Sequence, residues 1–512
     1  MNPLKILRNI LPPLILISTL FAIYLRTLAP GLTWANDGSD GGDLISAAAT
    51  GGVAHPAGYP LYLIFARLFQ FLPIGSLAFR TNLMSALAMA LAAALVYVLV
   101  RDLSSNHKKT GYWPAALAAG YAFGLAPLVW SQAVITEVYG LQVLLVALLL
   151  YLYAGPAQNS AATRSACFAW KRLDYWRGLT LGLAMGNHVT TVLLVPVAVV
   201  LGSIHRQAQP DGIPDTGYSW LKGLKLDRGA FLRQLGMFGA GLSIYLLIPL
   251  RALADPPVNW GNAITLARFW WLVSGQLYQS YYMQFSLVEF WVRVQAWASL
   301  LLQQWGLLGL ILALIGLVYF FSPSRLFVFT IWQVIIYSGF AIIYGSFDSY
   351  VYLLPVCISF SIWIGLGLAG MMTSEVLRSP GPGLAISLLF LIYLFGSAAY
   401  HWPQVNASHD MRAENFGRQI LESAPSNAII FAEGDQAVFT TWYFHYALHE
   451  RPDLVVIATD LLHFDWYQEN LHSNYPSLVV PGPFPWPETI IIANTSRSVC
   501  YVQYADHAEI HC

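Results

Sequence analysis

Residues 34–60 read WANDGSDGGDLISAAATGGVAHPAGYP, directly after the first long apolar segment of the chain. The stretch holds Asp37, Asp40 and Asp43 in one short glycine-rich run, and a turn over His55–Pro60 follows. Ionisable groups beside an apolar span are costly to keep, so they indicate a functional site. The alternative is a solvated acidic loop in which an aspartate caps the helix that begins just after the run.

The composition of the whole chain is that of a membrane protein. Only 10% of the 512 residues are charged and 57% are hydrophobic, with a mean hydropathy of +0.56. A soluble domain carries roughly 25% charged residues. The formal net charge is zero and no basic stripe is present, which argues against a nucleic-acid partner. We therefore predict an α-helical polytopic protein whose main partner is the lipid bilayer.

Apolar segments long enough to cross a bilayer recur about eleven times along residues 1–400. A connection between two of them, residues 29–79, contains the acidic run. The stretch 177–204 is apolar but broken at 186–188, which predicts two short helices with the break at the far face. The other spans are expected near 10–28, 80–101, 112–130, 134–154, 233–252, 297–321, 326–345, 350–372 and 383–400.

The basic residues predict the orientation of these spans, because cytoplasmic loops are enriched in lysine and arginine. With a cytoplasmic N-terminus, every lysine falls on the cytoplasmic side: Lys5, Lys108, Lys109, Lys171, Lys222 and Lys225. The acidic loop, the loop from residue 251 to about 296 and the C-terminal segment then lie together on the opposite side.

The segment 401–512 is polar and alternates strand and helix signals. Two short apolar runs, 428–432 and 454–458, flank a helical stretch, and this spacing predicts a βαβ unit. We expect a small α/β domain outside the membrane. Cys500 and Cys512 could pair in an oxidising compartment, and two free thiols are an equally good reading.

Several polar residues in the outside loops are candidates for chemistry. Asp40 and Asp43 stand three residues apart, so on a helix they share a face. Two close carboxylates can divide labour, one acting as a base and the other orienting a metal ion or a substrate hydroxyl. Glu137 lies at the outer end of a span, where a carboxylate needs a partner or a cavity. His188 lies at the helix break, whose freed backbone groups must be buried or line a cavity.

Other candidates have an equally good structural interpretation. His55 could donate to an anionic group or serve only its turn. Arg251 could form a forked pair of bonds to a phosphate or reach out from the end of a span to the interface. Asp348, with Tyr352 nearby, is more simply a turn residue between two spans.

Four stretches together resemble one family of membrane enzymes. They are DGGDLI at 40–45 with AHPAGYPL at 54–61, TEVY at 136–139, Arg251 with NWG at 259–261, and Gly434-Asp435 with TWY at 441–443. The chain is similar to the GT-C class of membrane glycosyltransferases. More narrowly, it resembles the family of the animal transmembrane protein O-mannosyltransferase and its bacterial relatives, in which Glu usually stands where this chain has Asp43.

The resemblance implies a function and roles for the residues. A sugar, with mannose as the family's example, passes from a polyprenyl-phosphate carrier to an acceptor hydroxyl of a protein or an envelope glycan, with inversion and outside the cytoplasm. Asp43 is predicted to be the base, and Asp40 its partner or a ligand of a divalent cation whose need is open. The predicted substrate-binding residues are His55, Tyr59, Glu137, His188, Arg251, Trp260, Asp348 and Tyr352.

Two further functions fit parts of the pattern. A flippase or transporter of lipid-linked sugars would also use a broken helix and intramembrane charges, although the carboxylates here cluster outside the membrane. An assembly factor that binds a partner through its outer domain is the third reading. The bacterial relatives imply the plasma membrane of a bacterium as the location.

Overall fold

The structure is a computed structural model that describes residues 3–105, 113–154, 164–206, 224–283, 285–319, 324–373, 380–483, 485–505 and 507–512. Lys108, Lys109 and Lys222, on which the predicted orientation depends, lie outside the described residues. The predicted cytoplasmic position of the N-terminus therefore stays a prediction.

Most of the described chain is helical. The helices are α1 (Pro3–Thr27), α2 (Gly41–Thr50), α3 (Pro60–Gln70), α4 (Leu77–Ser105), α5 (Trp113–Gly124), α6 (Pro127–Ala133), α7 (Tyr139–Ala154), α8 (Arg164–Asn187), α9 (Val195–Ser203), α10 (Arg228–Leu242), α11 (Leu247–Ala252), α12 (Leu266–Val273), α13 (Leu287–Tyr319), α14 (Arg325–Ile343), α15 (Leu354–Thr373), α16 (Pro380–Val405), α17 (Arg412–Ser423), α18 (Asp435–Trp442), α19 (Asp465–Asn474) and α20 (Pro487–Ala493).

Seven helices within the described residues are long and apolar enough to cross a membrane, and the bent pair of α5 and α6 would make an eighth. Helix α7 and the segment Val189–Ser203 are apolar but shorter. The chain is thus a multi-pass helical protein, and the number of about eleven spans stays a prediction. The break predicted at 186–188 is confirmed, because α8 ends at Asn187 and His188 adopts an extended backbone.

The span predicted near 112–130 is broken rather than straight. Helices α5 and α6 meet there at an angle of 64°. Pro127 is the first residue of α6, and Ala126 before it is extended, with ψ at 127°. A residue that precedes proline disfavours the helical conformation, so the chain changes direction there and brings the 133–138 connection toward the outer loops.

The C-terminal segment contains a four-stranded sheet in the order β4-β3-β5-β6. The strands are β3 (Ile429–Glu433), β4 (Val455–Ala458), β5 (Val499–Tyr504) and β6 (Ala508–His511), while β1 (Ile204–Arg206) and β2 (Leu224–Leu226) form a separate pair. Strand β3 runs parallel to β4 and β5, so the predicted βαβ unit is confirmed. Cys500 and Cys512 form a disulfide.

Two hydrophobic cores organise the fold. One fills the helical bundle, and the other joins the first outside loop, the 251–283 region and the C-terminal sheet, with Ile45, Trp260 and Phe431 among its members. The three segments predicted to lie together outside are therefore packed against one another. Helix α16 continues through residue 401 to Val405, so the division of the chain into 1–400 and 401–512 stays a prediction.

Candidate active site

A cavity of about 660 Å³ opens where the two cores meet. The first outside loop, the 133–139 connection, the His188 break, the 274–282 segment, the turn before α15 and the start of α18 all contribute to its wall. Within the described residues its lining holds two histidines and no lysine or arginine. Its carboxylates are Asp37, Asp40, Glu137, Asp348 and Asp435.

Asp43 lies behind this cavity rather than in its lining. It belongs to the first turn of α2 and is fully buried. Its Oδ2 accepts the backbone N–H of His55 at 3.0 Å and lies 2.7 Å from Nδ1 of the same residue. Its Oδ1 accepts the indole N–H of Trp260 at 3.0 Å. Two groups of His55 and one of Trp260 thus surround the Asp43 carboxylate, and a substrate in the cavity would not reach it.

Asp40 faces the cavity and completes a row of three side chains. Its Oδ2 lies 3.4 Å from Nε2 of His55, so the imidazole bridges Asp43 and Asp40. Asp40 occupies the N-cap position of α2 without a side-chain capping bond, and its side chain is 36% exposed. The carboxylate of Asp40 therefore does not cap the helix, and it is available to a ligand.

The turn after α2 fixes His55 in this row. Gly58 and Tyr59 have positive φ values of 81° and 43°, and the N–H of Gly58 donates to the carbonyl of His55 at 2.8 Å. A Cβ on Gly58 would lie 2.8 Å from Ile248, so glycine is required for space as well as for conformation. The Tyr59 hydroxyl donates to the carbonyl of Pro56 at 3.1 Å.

The C-terminal domain closes the other side of the row. A Cβ on Gly42 would lie 2.3 Å from the carbonyl oxygen of Phe439. The absence of a side chain at Gly42 therefore lets α2 contact α18. The Phe439 ring stacks on His55 with centroids 6.2 Å apart. This contact places Asp435, the first residue of α18, in the cavity wall.

The charges of the row follow from its burial and its neighbours. Burial would lower the pKa of His55, but Asp40 and Asp43 together raise it to about 9. Burial raises the pKa of Asp40 to about 6, although the His55 ring opposes this change. Near neutral pH the imidazole is therefore protonated and Asp40 is mostly ionised, which is the state that a general base needs.

A second part of the cavity wall is built around His188. Its ring centroid lies 5.8 Å from that of Tyr59, 5.6 Å from Tyr139 and 5.9 Å from Tyr352. Glu137 is 95% buried in the same lining, and burial holds its pKa well above the usual range.

The remaining predicted residues divide between the cavity and its surroundings. Asp348 lines the cavity and also precedes a short 3₁₀ turn, Ser349–Leu353, without capping it. Trp260 is not part of the lining, and its indole N–H donates to Asp43. Arg251 is not part of the lining, and its Nη1 donates to the carbonyl of Gly52 at 3.3 Å. Its predicted contact with a phosphate stays a prediction that this geometry does not favour.

Sequence reasoning missed some of the lining. Tyr278 and Asp435 enter the cavity from the second outside loop and from the start of α18. The tyrosine-rich run at 278–282 in an outside loop was the available signal for the first. Among the described residues no three His, Cys, Asp or Glu side chains come together as a metal site, so the lining does not fit the divalent cation considered for Asp40.

Two models of one protein family match the chain. The first, described as the Protein O-mannosyl-transferase TMEM260 N-terminal domain, matches residues 40–211 and so begins at Asp40. The second, TMEM260-associated domain 2, matches residues 413–510. Together they account for more than half of the chain. The chain belongs to the TMEM260 family. The predicted kinship with O-mannosyltransferase-like proteins is thereby confirmed.

Individual relatives and structures agree with this family. The chain is 27% identical over 489 residues to Protein O-mannosyl-transferase TMEM260 of Mus musculus and 24% identical over 507 residues to that of Dictyostelium discoideum. These matches cover 90% of this chain in each case, and 64% and 58% of the relatives, so the chain spans about three fifths of their length.

The fold has a counterpart among solved structures. ArnT from Cupriavidus metallidurans, crystallised with undecaprenyl phosphate, superposes with a TM-score of 0.55 at 14% identity, and the match covers 97% of both chains. At that identity the likeness concerns the fold alone. It confirms the predicted GT-C-like membrane fold with a small C-terminal α/β part.

Proposed function

We propose that this TMEM260-family chain is a membrane glycosyltransferase that uses Asp40 as its general base. The observation that carries the proposal is the row Asp43–His55–Asp40, which presents one carboxylate to the cavity and buries the other. This exchanges the roles predicted from the sequence, because the acceptor must reach the base and Asp43 is wholly enclosed by protein.

The reaction is a single displacement at the anomeric carbon. Asp40 takes the proton of the acceptor hydroxyl while the acceptor oxygen forms its bond to that carbon. The bond from the anomeric carbon to the phosphate oxygen breaks, and the electron pair leaves with the lipid phosphate. One displacement inverts the anomeric configuration. A positioned base contributes typically ~10²–10⁴-fold to such a step.

The substrates follow from kinship and from the cavity. The names of the relatives support mannose as the sugar and a protein hydroxyl as the acceptor, with an envelope glycan as the other acceptor considered. The undecaprenyl phosphate bound to ArnT supports a polyprenyl-phosphate carrier. The distribution of lysine supports a site outside the cytoplasm. We keep the plasma membrane of a bacterium as the proposed location.

A transfer assay tests the function. The purified full-length chain in lipid nanodiscs receives polyprenyl-phosphate mannose labelled in the sugar, together with a serine- and threonine-rich peptide. We expect labelled peptide and free polyprenyl phosphate in equal amounts. Movement of intact labelled lipid across a proteoliposome membrane without cleavage would instead identify a flippase.

The charges of the row predict a bell-shaped dependence of the transfer rate on pH. As the pH falls through about 6, Asp40 gains a proton and no longer acts as a base. As the pH rises through about 9, His55 loses the charge that holds Asp40. The two limbs belong to the coupled row rather than to single residues. A rate that keeps rising below pH 5 would contradict this assignment.

Trp260 is expected to act on the rate through Asp43. Trp260→Phe keeps an aromatic side chain and removes the N–H bonded to Oδ1 of Asp43, and the loss of such a bond should lower the transfer rate roughly tenfold. Trp442→Phe is the matched control: its ring lies 6.0 Å from Trp260, and its Nε1 bonds to no described residue. Equal rates for the two variants would show that the indole bond is unimportant.

A further inference from the structure

The imidazole of His188 lines the cavity, and one of its ring nitrogens, Nδ1, is hydrogen-bonded within the protein. Its Nδ1 lies 2.8 Å from Oγ1 of Thr190 and accepts the backbone N–H of Thr190 at 3.3 Å. A backbone N–H can only donate, so Nδ1 carries no proton. The neutral ring therefore has its proton on Nε2.

The exposed nitrogen has no partner in the described part of the chain. His188 is 95% buried and lines the cavity, and no described group bonds to Nε2. The rings of Tyr59, Tyr139 and Tyr352 surround the imidazole and fix its plane. An oriented N–H donor that faces a cavity without a protein acceptor is available to a ligand.

The position of this donor suits the leaving group. The Tyr59 ring contacts both histidines of the lining, with its centroid 5.0 Å from that of His55 and 5.8 Å from that of His188, and Asp40 lies beside His55. In a displacement with inversion, the base and the leaving oxygen stand on opposite sides of the anomeric carbon. His188 is a donor of the same lining that takes no part in the row Asp43–His55–Asp40, and Arg251 is not part of that lining.

We propose that His188, held by Thr190 with its proton on Nε2, donates a hydrogen bond to the phosphate of the lipid carrier. His188 is then a substrate-binding residue of the leaving group, and Thr190 is its positioning residue. The inference rests on the proposed function and deepens it. A neutral donor stabilises the charge that develops on the leaving oxygen without forming an ion pair with the nearby carboxylates.

Binding of polyprenyl phosphate without sugar tests the proposal. The probe is undecaprenyl phosphate, added to the full-length chain in nanodiscs. His188→Ala should weaken its binding roughly tenfold. His188→Gln should recover most of the affinity, since the amide nitrogen of glutamine can take the place of Nε2. The transfer rate should fall by more than the affinity, because the bond strengthens as the phosphate leaves.

A control and a direct readout separate this role from a structural one. His445 is another buried histidine, and its Nε2 bonds to Tyr475 at 3.1 Å in the C-terminal domain; His445→Gln should leave binding unchanged. Nitrogen-15 spectra of histidine-labelled protein, assigned by the loss of one signal in His188→Gln, should show a protonated Nε2 whose resonance shifts when the lipid phosphate is added.

The outcomes distinguish the proposed role of His188 from the proposed glycosyltransferase function. If the wild-type chain transfers sugar but His188→Ala binds undecaprenyl phosphate as tightly as the wild type, the phosphate role is wrong and the glycosyltransferase stands. A loss confined to the sugar-bearing lipid would place His188 on the sugar and overturn the proposal. A proton on Nδ1 would also overturn it. A wild-type chain that transfers no sugar would refute the proposed function itself.

Discussion

Asp40→Asn should lower the transfer rate about 10²–10⁴-fold, because the amide cannot take the proton of the acceptor hydroxyl. The variant keeps the shape of the side chain at the cavity wall, and the bonds of Asp43 to His55 and Trp260 do not involve it. We therefore expect the chain to fold and to bind its lipid donor within a few-fold of the wild type. Turnover at saturating donor, with donor affinity measured separately, checks both parts.

Asp40→Glu is the matched variant for this prediction. It restores a carboxylate one methylene further from α2, so part of the rate should return. If Asp40→Asn lost donor affinity and kept its turnover at saturation, Asp40 would be a binding residue and the base would lie elsewhere in the cavity.

Asp43→Asn should lower the rate by a comparable factor, about 10²–10⁴-fold, for a different reason. The carboxylate accepts two bonds from His55 and one from Trp260 while fully buried. An amide loses the charge that helps to keep His55 protonated, and it can leave a buried donor without a partner. The rate falls because His55 no longer holds Asp40, although the base itself is present.

The dependence on pH separates the two aspartate variants. In Asp43→Asn the alkaline limb should move to lower pH, because a carboxylate that raises the pKa of His55 is gone. Asp43→Glu keeps the charge and matches the residue that the family usually has there, so it should retain more activity than Asp43→Asn. An alkaline limb unchanged in Asp43→Asn would show that Asp43 does not act through His55.

The sequence pointed to the candidate site because the central features of that site are local. The carboxylates at 40 and 43 and the turn at 55–60 lie within 21 residues, and their residue types indicate a buried polar centre without knowledge of the rest of the chain. The βαβ unit and the break at His188 were equally predictable, since strand length, apolar runs and helix interruptions are properties of short segments.

The division of labour inside the site was beyond the sequence. Spacing three apart puts Asp40 and Asp43 on one face of a helix, but α2 starts at Gly41, so only Asp43 lies inside its first turn. What buries Asp43 is Trp260, 217 positions further on. The same holds for Arg251, whose position at the end of a span suggested a phosphate, whereas its guanidinium bonds to Gly52.

The bend between α5 and α6 is a second feature that the sequence alone did not predict. Residues 112–130 are apolar throughout, so hydropathy predicts a span there, and Pro127 alone does not say how far the chain turns. The angle depends on packing against the rest of the bundle. Its consequence is functional, because the connection after α6 carries Glu137 into the cavity.

Single-turnover transfer tests the central claim most directly. The full-length wild type, Asp40→Asn and Asp43→Asn are each loaded with labelled polyprenyl-phosphate mannose in nanodiscs and mixed with excess acceptor peptide, and the first turnover is followed in time. The account predicts that Asp40→Asn, with donor bound, falls at least about 10²-fold below the wild type at every pH between 6 and 9. An Asp40→Asn rate constant within a few-fold of the wild type would contradict it.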